Sequence, residues 1–497
     1  MAAGFFNATG AKRRVGTRRS QEANMTTERT EGVTNAAELN AWIEEEGIRF
    51  FKIGIFDIDG VMRGKFVNRE KLNSAVDKGF GFCDVVLGWD SHDALYETPS
   101  VASSIAAPAS ASAPASGWHT GYRDASVRLD LASLRRVPFE EDTLLLIGSF
   151  EGEYADFCPR NLLQRQLDKA KSMGFEVDAA FEYEFFLFDE TPHSIREKGY
   201  RDLKPFTPGM FGYSVLRNSV HAELYHDLLE TMEDFNCAIE GLHTETGPGV
   251  IEAAIRYSRG LGAADKAALF KTFTKVFAQQ SGLMATFMAK WSSEYPGQSG
   301  HLHISLADPK TGDNVFYAQD APNGMSKTMR HFVAGQVRYM PEVLAMVCST
   351  VNAYRRLVPG MWAPTAANWG VENRSTSIRV IPGGPKAQRS EYRVAPADAN
   401  PYLAASAALA SGLLGIEAGL ELEEPIAGNA YEDAKALARP LPATLEDASQ
   451  CLRNSEFARG AFGDAFVDHF CITRDWEVRE FRRQVSDIDL ARYFEII

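Results

Sequence analysis

Alternating acidic and imidazole residues inside apolar, β-prone runs constrain this chain more than any other feature. Glu182 and Glu184 alternate in FEYEFF, His301 and His303 in GHLHIS, and Glu391 and Arg393 in SEYRV, while Glu245 and Glu252 bracket ETGPGVIE. Strand side chains alternate between faces, so each alternating pair shares one face of its strand. Carboxylates are seldom buried without a counter-charge or a metal, so strands that carry them inward imply a cation-lined cavity. A lone E-x-E is more often a solvated strand face, and a lone H-x-H is more often structural. It is their conjunction that carries weight. Five carboxylates and one imidazole, with no cysteine among them, suit a hard divalent ion such as Mg²⁺ or Mn²⁺.

A basic set accompanies them: Arg356, Arg374, Arg379, Lys386, Arg389 and Arg393. Guanidinium forks match carboxylate and phosphate oxygens. Strands that hold metal beside segments that hold anions describe a phosphoryl-transfer site.

The segments FEYEFFLF, HTETGPGVIE, GQSGHLHISL, YRRLVPG, NRSTSIRV, PKAQRSEYR and ADANPYLAASAALASGL resemble, in order and spacing, the glutamine synthetase superfamily. The resemblance runs from about Ile48 to the C-terminus. It implies an α+β fold: a small β-grasp-like N-terminal domain and a large catalytic domain with a curved antiparallel sheet flanked by helices. It also implies a homo-oligomeric ring in which a neighbour's N-terminal domain closes each active site, so Asp84 and Trp89 are expected to face an adjacent Glu184 cavity.

Composition bounds the rest. With 497 residues, 45% of them hydrophobic and 24% charged, the chain reads as a globular protein with a large core. A net charge of −14 argues against nucleic acid as a general partner. The six cysteines show no CxxC and read as reduced thiols, which fits a cytoplasmic protein. No apolar run approaches the roughly 18 residues that span a bilayer.

Residues 1–35 carry Lys12, Arg13, Arg14, Arg18 and Arg19 and read as a disordered tail, with Met25 as an alternative start. Residues 36–139 read as the small domain, interrupted by an Ala/Ser/Pro loop at about 99–116 that is expected to be mobile and on the surface. Residues 140–497 read as the catalytic domain, with helices at Asn161–Ser172, Ser219–Asp234, Ala263–Ser281, Lys327–Met346 and a buried one from Pro401 to Leu414. Asp57-Ile58-Asp59-Gly60 is similar to the nucleophile loop of haloacid-dehalogenase phosphatases, but MRGKFV follows at once. A hairpin turn is the better reading. No Walker A or GxGxxG segment follows any strand.

Carried over residue by residue, the resemblance implies the following roles. Glu184, Glu245 and Glu252 would hold the metal near glutamate. Glu182, His301 and Glu391 would hold the metal on the ATP phosphates. Arg356 and Arg393, with Gly297, would bind glutamate. Arg374 and Arg389 would clamp the transferred phosphoryl group, with Arg379 nearby, and Tyr257, His303, Ser305 and Lys386 would line the nucleotide. ATP would convert the γ-carboxylate to an acyl phosphate, which an amine then attacks.

Two departures bear on the amine. Where ammonia-using members carry a glutamate in PGYEAP, this chain has Pro359-Gly360-Met361-Trp362-Ala363-Pro364. Where they carry DGSS, it has Asp84-Val85-Val86-Leu87-Gly88-Trp89, in which Asp84 loosely matches the aspartate of the ammonium site. An indole shields an intermediate but cannot act as a base. The expectation is an ATP-dependent ligase joining glutamate to a hydrophobic monoamine, an arylamine or alkylamine. The alternatives are a γ-glutamylpolyamine synthetase, with Asp90 and Asp93 at hand, a true glutamine synthetase, and a non-catalytic structural member.

Overall fold

A computed structural model describes residues 33–96 and 114–497. The basic tail and most of the Ala/Ser/Pro stretch lie outside the described residues. Only the last residues of that stretch are described. Ser116 is fully buried, and the Ala115 N–H donates to His469 Nδ1 at 3.1 Å, so tertiary contacts override a composition that suggested only exposure.

The small unit starts with α1 (Ala36–Glu45), capped by the Asn35 side chain, which accepts from the Ala37 and Glu38 amides. Strands β1 (Phe50–Phe56) and β2 (Met62–Val67) form a hairpin, followed by α2 (Arg69–Lys78), β3 (Phe80–Cys83), β4 (Asp124–Arg136) and β5 (Thr143–Phe150). The sheet order is β2-β1-β5-β4-β3, with β1 and β5 parallel and the other pairs antiparallel. The small sheet therefore extends past residue 139, to Phe150. β5 is the central strand of this small sheet, and its nearly continuous apolar run is what burial on both faces demands.

Asp57–Gly60 is indeed the hairpin turn: Gly60 N–H donates to the Asp57 carbonyl at 3.0 Å, with φ +77° at the glycine. A Cβ there would lie 3.2 Å from Asn400, because the turn presses against the large unit. Asn400 Nδ2 donates to the Ile58 carbonyl, and Arg474 pairs with Asp59 at 2.7 Å.

The large unit holds nine strands: β6 (Glu176–Phe188), β7 (Ile239–Thr244), β8 (Val250–Ile255), β9 (Ser258–Arg259), β10 (Met284–Thr286), β11 (Gly300–Ala307), β12 (Trp369–Val371), β13 (Ile378–Ile381) and β14 (Arg389–Tyr392). The order is β12-β13-β14-β11-β6-β8-β7, with β9 and β10 pairing to β6, and it is antiparallel except between β12 and β13.

Its principal helices are α3 (Pro159–Ser172), α4 (Ala222–Asp234), α5 (Leu261–Gln280), α6 (Lys327–Val347), α7 (Pro401–Glu417), α8 (Leu445–Asn454) and α9 (Asp464–Arg482). The expected helix from Ser219 is split, because a short helix Val215–Val220 ends at His221. α7 is buried almost throughout and crosses α6 at glycine: a Cβ on Gly335 would meet the Ser411 carbonyl at 2.2 Å. Among the described residues, no helix is long and apolar enough to cross a membrane.

Candidate active site

The large sheet packs one face on helices and turns charge to the other, and β6 shows how. Phe181, Tyr183 and Phe185 point back into the core, where Tyr183 stacks between Phe181 and Phe270 of α5. Glu182 and Glu184, one residue out of phase, point forward.

Opposed residues on neighbouring strands share a face, so register assembles the site in rows. Glu184, Glu252 and His243 form one row across β6, β8 and β7. Glu182 opposes His301. Arg379, Glu391 and His303 form another row across β13, β14 and β11, and Ser305 lies two residues further on, on the face of His303.

The electrostatics of these rows are strained. Burial foremost, then Glu182 and the other acidic neighbours, pushes the Glu252 carboxyl up to about 12. Burial likewise lifts Glu184 to about 7, although its Oε2 accepts from the Ser299 amide at 2.7 Å. Against its burial, Glu182 is held well below the carboxylate range, chiefly by the hydrogen bond with His303 at 3.0 Å.

Glu391 is brought down to about 2 against burial, chiefly by Arg393, which donates to Oε1 at 2.5 Å, with help from His301 and from Arg379 at 3.0 Å. His301 is buried and stays neutral, its pKa lowered to about 3 by burial foremost and then by Arg393. Its Nδ1 lies 3.3 Å from Glu391 Oε1, while its buried Nε2 has no partner among the described residues.

The other expected residues divide. Glu245 follows β7, and its carboxylate accepts from the Thr246 amide at 2.6 Å. Arg389 Nε donates to His303 Nδ1 at 3.1 Å, tying the expected phosphoryl clamp to the nucleotide side. Arg374, Lys386 and Tyr257 are exposed.

Arg356 differs from expectation. It is 1% exposed and donates to the Val394 carbonyl, the Ser299 hydroxyl and the Arg393 carbonyl. Those bonds make it a brace under the acidic face. A Cβ on Gly297 would stand 2.7 Å from the Arg356 Cγ, so that glycine serves to let the arginine pack.

Asp84 and Trp89 lie in the small unit. Asp84 is fully buried within the small unit, accepting from the Tyr154 hydroxyl at 2.7 Å, with its Oδ1 unpartnered. Trp89 packs against the same core with Arg63 over its ring at 5.0 Å. The Asp84 Oδ1 and Trp89 Nε1 atoms are both buried in the single chain. Trp362, by contrast, is 58% exposed, at φ +59°. The neighbouring Ala363 carbonyl accepts from the Tyr431 hydroxyl at 3.1 Å, and that phenol lies in the field of Arg393 and Arg356.

Sequence reasoning missed His243 and Tyr213. His243 Nε2 lies 3.2 Å from Glu252 Oε1, and the Tyr213 ring stacks on the imidazole at 4.2 Å. The signal was present as H-x-E, which puts His243 in phase with Glu245.

Among the described residues, no three acidic or imidazole groups stand in a finished ligating arrangement. Their chemistry nevertheless fits a divalent cation. Crowded carboxylates with raised proton affinity and an orphaned imidazole nitrogen are what such an ion would satisfy.

Comparison with known proteins agrees with this geometry. Residues 156–493 match the glutamine synthetase catalytic domain. Type-1 glutamine synthetase 2 of Dictyostelium discoideum is 43% identical over 90% of this chain and 84% of its own length. Glutamate–isopropylamine ligase of a Pseudomonas species is 37% identical over 92% of this chain and 97% of its own. γ-Glutamylethanolamide synthetase GlnA4 of Streptomyces coelicolor is 34% identical over 92% and 95%. A solved GmaS/ADP complex superposes with a TM-score of 0.77 at 26% identity, covering 92% of this chain and 99% of that one. An acidic concave sheet ringed by arginines, a matching catalytic domain and near full-length relatives meet in one conclusion: this chain belongs to the glutamine synthetase family and is a C–N bond-forming ligase.

Proposed function

We propose that this enzyme joins the γ-carboxylate of glutamate to an organic monoamine, an arylamine or alkylamine, with ATP converted to ADP and phosphate. The observation that carries the reading is Trp362, an exposed indole next to Ala363, whose carbonyl Tyr431 holds, at the flap position where a proton-accepting glutamate would serve ammonia. Two of the relatives, named for isopropylamine and for ethanolamide, support an amine other than ammonia, while the relative named glutamine synthetase keeps ammonia as the competing reading.

In this reading a γ-carboxylate oxygen attacks the γ-phosphorus of ATP, and ADP leaves. The neutral amine then attacks the acyl phosphate carbon, phosphate departs, and the ammonium formed gives up its proton. Arg393, Arg374 and Arg389 neutralise carboxylate and phosphoryl charge. Glu184, Glu245 and Glu252, and Glu182, His301 and Glu391, would hold Mg²⁺ or Mn²⁺, which would supply charge neutralisation on the transferring phosphoryl group. Trp362 excludes water from the acyl phosphate and offers apolar surface to the amine.

Lacking a flap carboxylate matters least for arylamines, whose free base dominates at neutral pH. The test compares kcat/KM for aniline, ethylamine, putrescine and ammonia in the native enzyme and in Trp362→Glu. The monoamines should lead, and the variant should gain ammonia use by about tenfold, or roughly 1.4 kcal/mol in the barrier. Ammonia as the best native substrate, or no gain in the variant, would sink the reading.

A further inference from the structure

The three imidazoles on the acidic face are not equivalent, and their hydrogen bonds sort them. A guanidinium can only donate, so His303 Nδ1, which receives Arg389 Nε at 3.1 Å, must be the bare nitrogen. His303 Nε2 therefore carries the proton and donates to Glu182 Oε2 at 3.0 Å, leaving no lone pair for a metal. His301 is the reverse. Its Nδ1 lies against Glu391 Oε1, so Nδ1 carries the proton and the unpartnered, buried Nε2 presents its lone pair to the face.

His243 follows the His301 pattern. Its Nδ1 lies 3.1 Å from the Thr244 carbonyl, an oxygen that can only accept, so that nitrogen carries the proton. The same carbonyl accepts the Tyr213 amide at 2.7 Å, and the Tyr213 ring stacks on the imidazole, which together fix the ring plane. Nε2 then faces Glu252 Oε1 at 3.2 Å, and in the neutral imidazole it is the nitrogen with the free lone pair. Two acceptors facing each other repel unless a proton or a cation is shared between them. An imidazole whose other N–H is pinned to a backbone carbonyl is the usual dress of a metal ligand. The spacing also fits, since neighbouring donors around an octahedral ion at about 2.1 Å stand about 3 Å apart.

We infer that His243 Nε2 is a further donor to the divalent cation of the Glu184–Glu252 row, giving an otherwise all-oxygen site one nitrogen and tilting it from Mg²⁺ toward Mn²⁺. The inference rests on the ligase reading, because that reading supplies the cation. Imidazole favours transition metals, whereas Mg²⁺ is content with carboxylate and water. Removal of His243 should therefore weaken the two ions unequally, which a residue that merely props up Glu252 would not do.

The experiment is direct binding to the full-length protein. Titration calorimetry with Mn²⁺ and with Mg²⁺ compares the native enzyme with His243→Gln and His243→Asn, and pulsed EPR of bound Mn²⁺ reads nitrogen coupling. Circular dichroism melts confirm that the variants fold, as expected for a partly exposed position. Mn²⁺ affinity should fall at least tenfold, Mg²⁺ affinity less than threefold, and the nitrogen modulation should weaken to the part contributed by His301. Equal losses for both ions, or unchanged nitrogen coupling, would overturn the role of His243 alone. A native protein that binds neither ion would overturn the ligase reading with it.

Discussion

Charge is buried in two regions of this molecule, in opposite ways. Where the small unit docks on the large one, opposite charges meet: Asp57 with Arg63 at 2.9 Å, Asp59 with Arg474 at 2.7 Å, and nearby Asp265 with Arg160 at 2.9 Å. On the concave face of the large sheet, like meets like. Glu252 lies against Glu182 and Glu184, and the His301 Nε2 and Arg393 Nε atoms lack partners among the described residues. A paired buried charge fixes geometry at little net gain. A crowd of carboxylates costs stability and persists only where something else selects for it, and here that is chemistry on phosphates.

The largest effect should come from breaking the unpaired side. Glu252→Gln or Glu182→Ala should lower turnover at least a thousandfold at saturating Mg²⁺ or Mn²⁺, roughly 4 kcal/mol of transition-state stabilisation. The melting temperature without metal should hold or rise, because a buried carboxylate has been removed. Near-native turnover in either variant would show that these carboxylates are ordinary surface.

Breaking the paired side should do the reverse. Arg474→Met leaves Asp59 facing a buried methionine and frees the Ser349 carbonyl, which the arginine holds at 2.6 Å. A loss of about 3 kcal/mol in unfolding free energy is expected, with kcat per folded molecule kept within threefold. A stable variant with collapsed activity would mean that the docking contacts belong to the catalytic machinery.

Acid should expose the same division. His469, at the docking seam, has its pKa lowered to about 3 by burial and then by Arg474. The folded state therefore refuses a proton that the unfolded chain takes up below its ordinary value near 6.5. The stability tied to this group is present above pH 6.5 and drains away as pH falls toward 3. His469→Gln should flatten that stretch of the stability curve. An unchanged acid profile would place the sensitivity elsewhere.

What could be seen from sequence was whatever is periodic. The E-x-E and H-x-H pairs need only strand alternation, and the long helices appear within about three residues of their expected ends. What could not be seen was whatever depends on non-local register or packing direction. β5 looked like the start of the large domain because only its two neighbours reveal it as a central strand. Arg356 sat in a motif that promised a substrate fork, yet its guanidinium turns inward to main-chain oxygens. His243 gained meaning only when β7 was placed against β8.

The smallest expected effect tests the residue that similarity and structure treat most differently. By resemblance Asp84 is a candidate for the site where an incoming amine is held, reaching into a neighbour's cavity within a ring. By structure it is wholly buried in its own small unit, bonded to Tyr154 of that unit's core, whose hydroxyl also accepts from Arg123 at 3.0 Å. If that packing is its role, Asp84→Asn keeps an acceptor for the Tyr154 hydroxyl and shifts stability by about 1 kcal/mol or less. Its kcat/KM for the best amine should stay within threefold of native, in whatever oligomer sedimentation reveals. A hundredfold loss in a variant that melts and sediments like the native protein would return Asp84 to the reaction. It would also mean that assembly reopens a core that the single chain keeps closed.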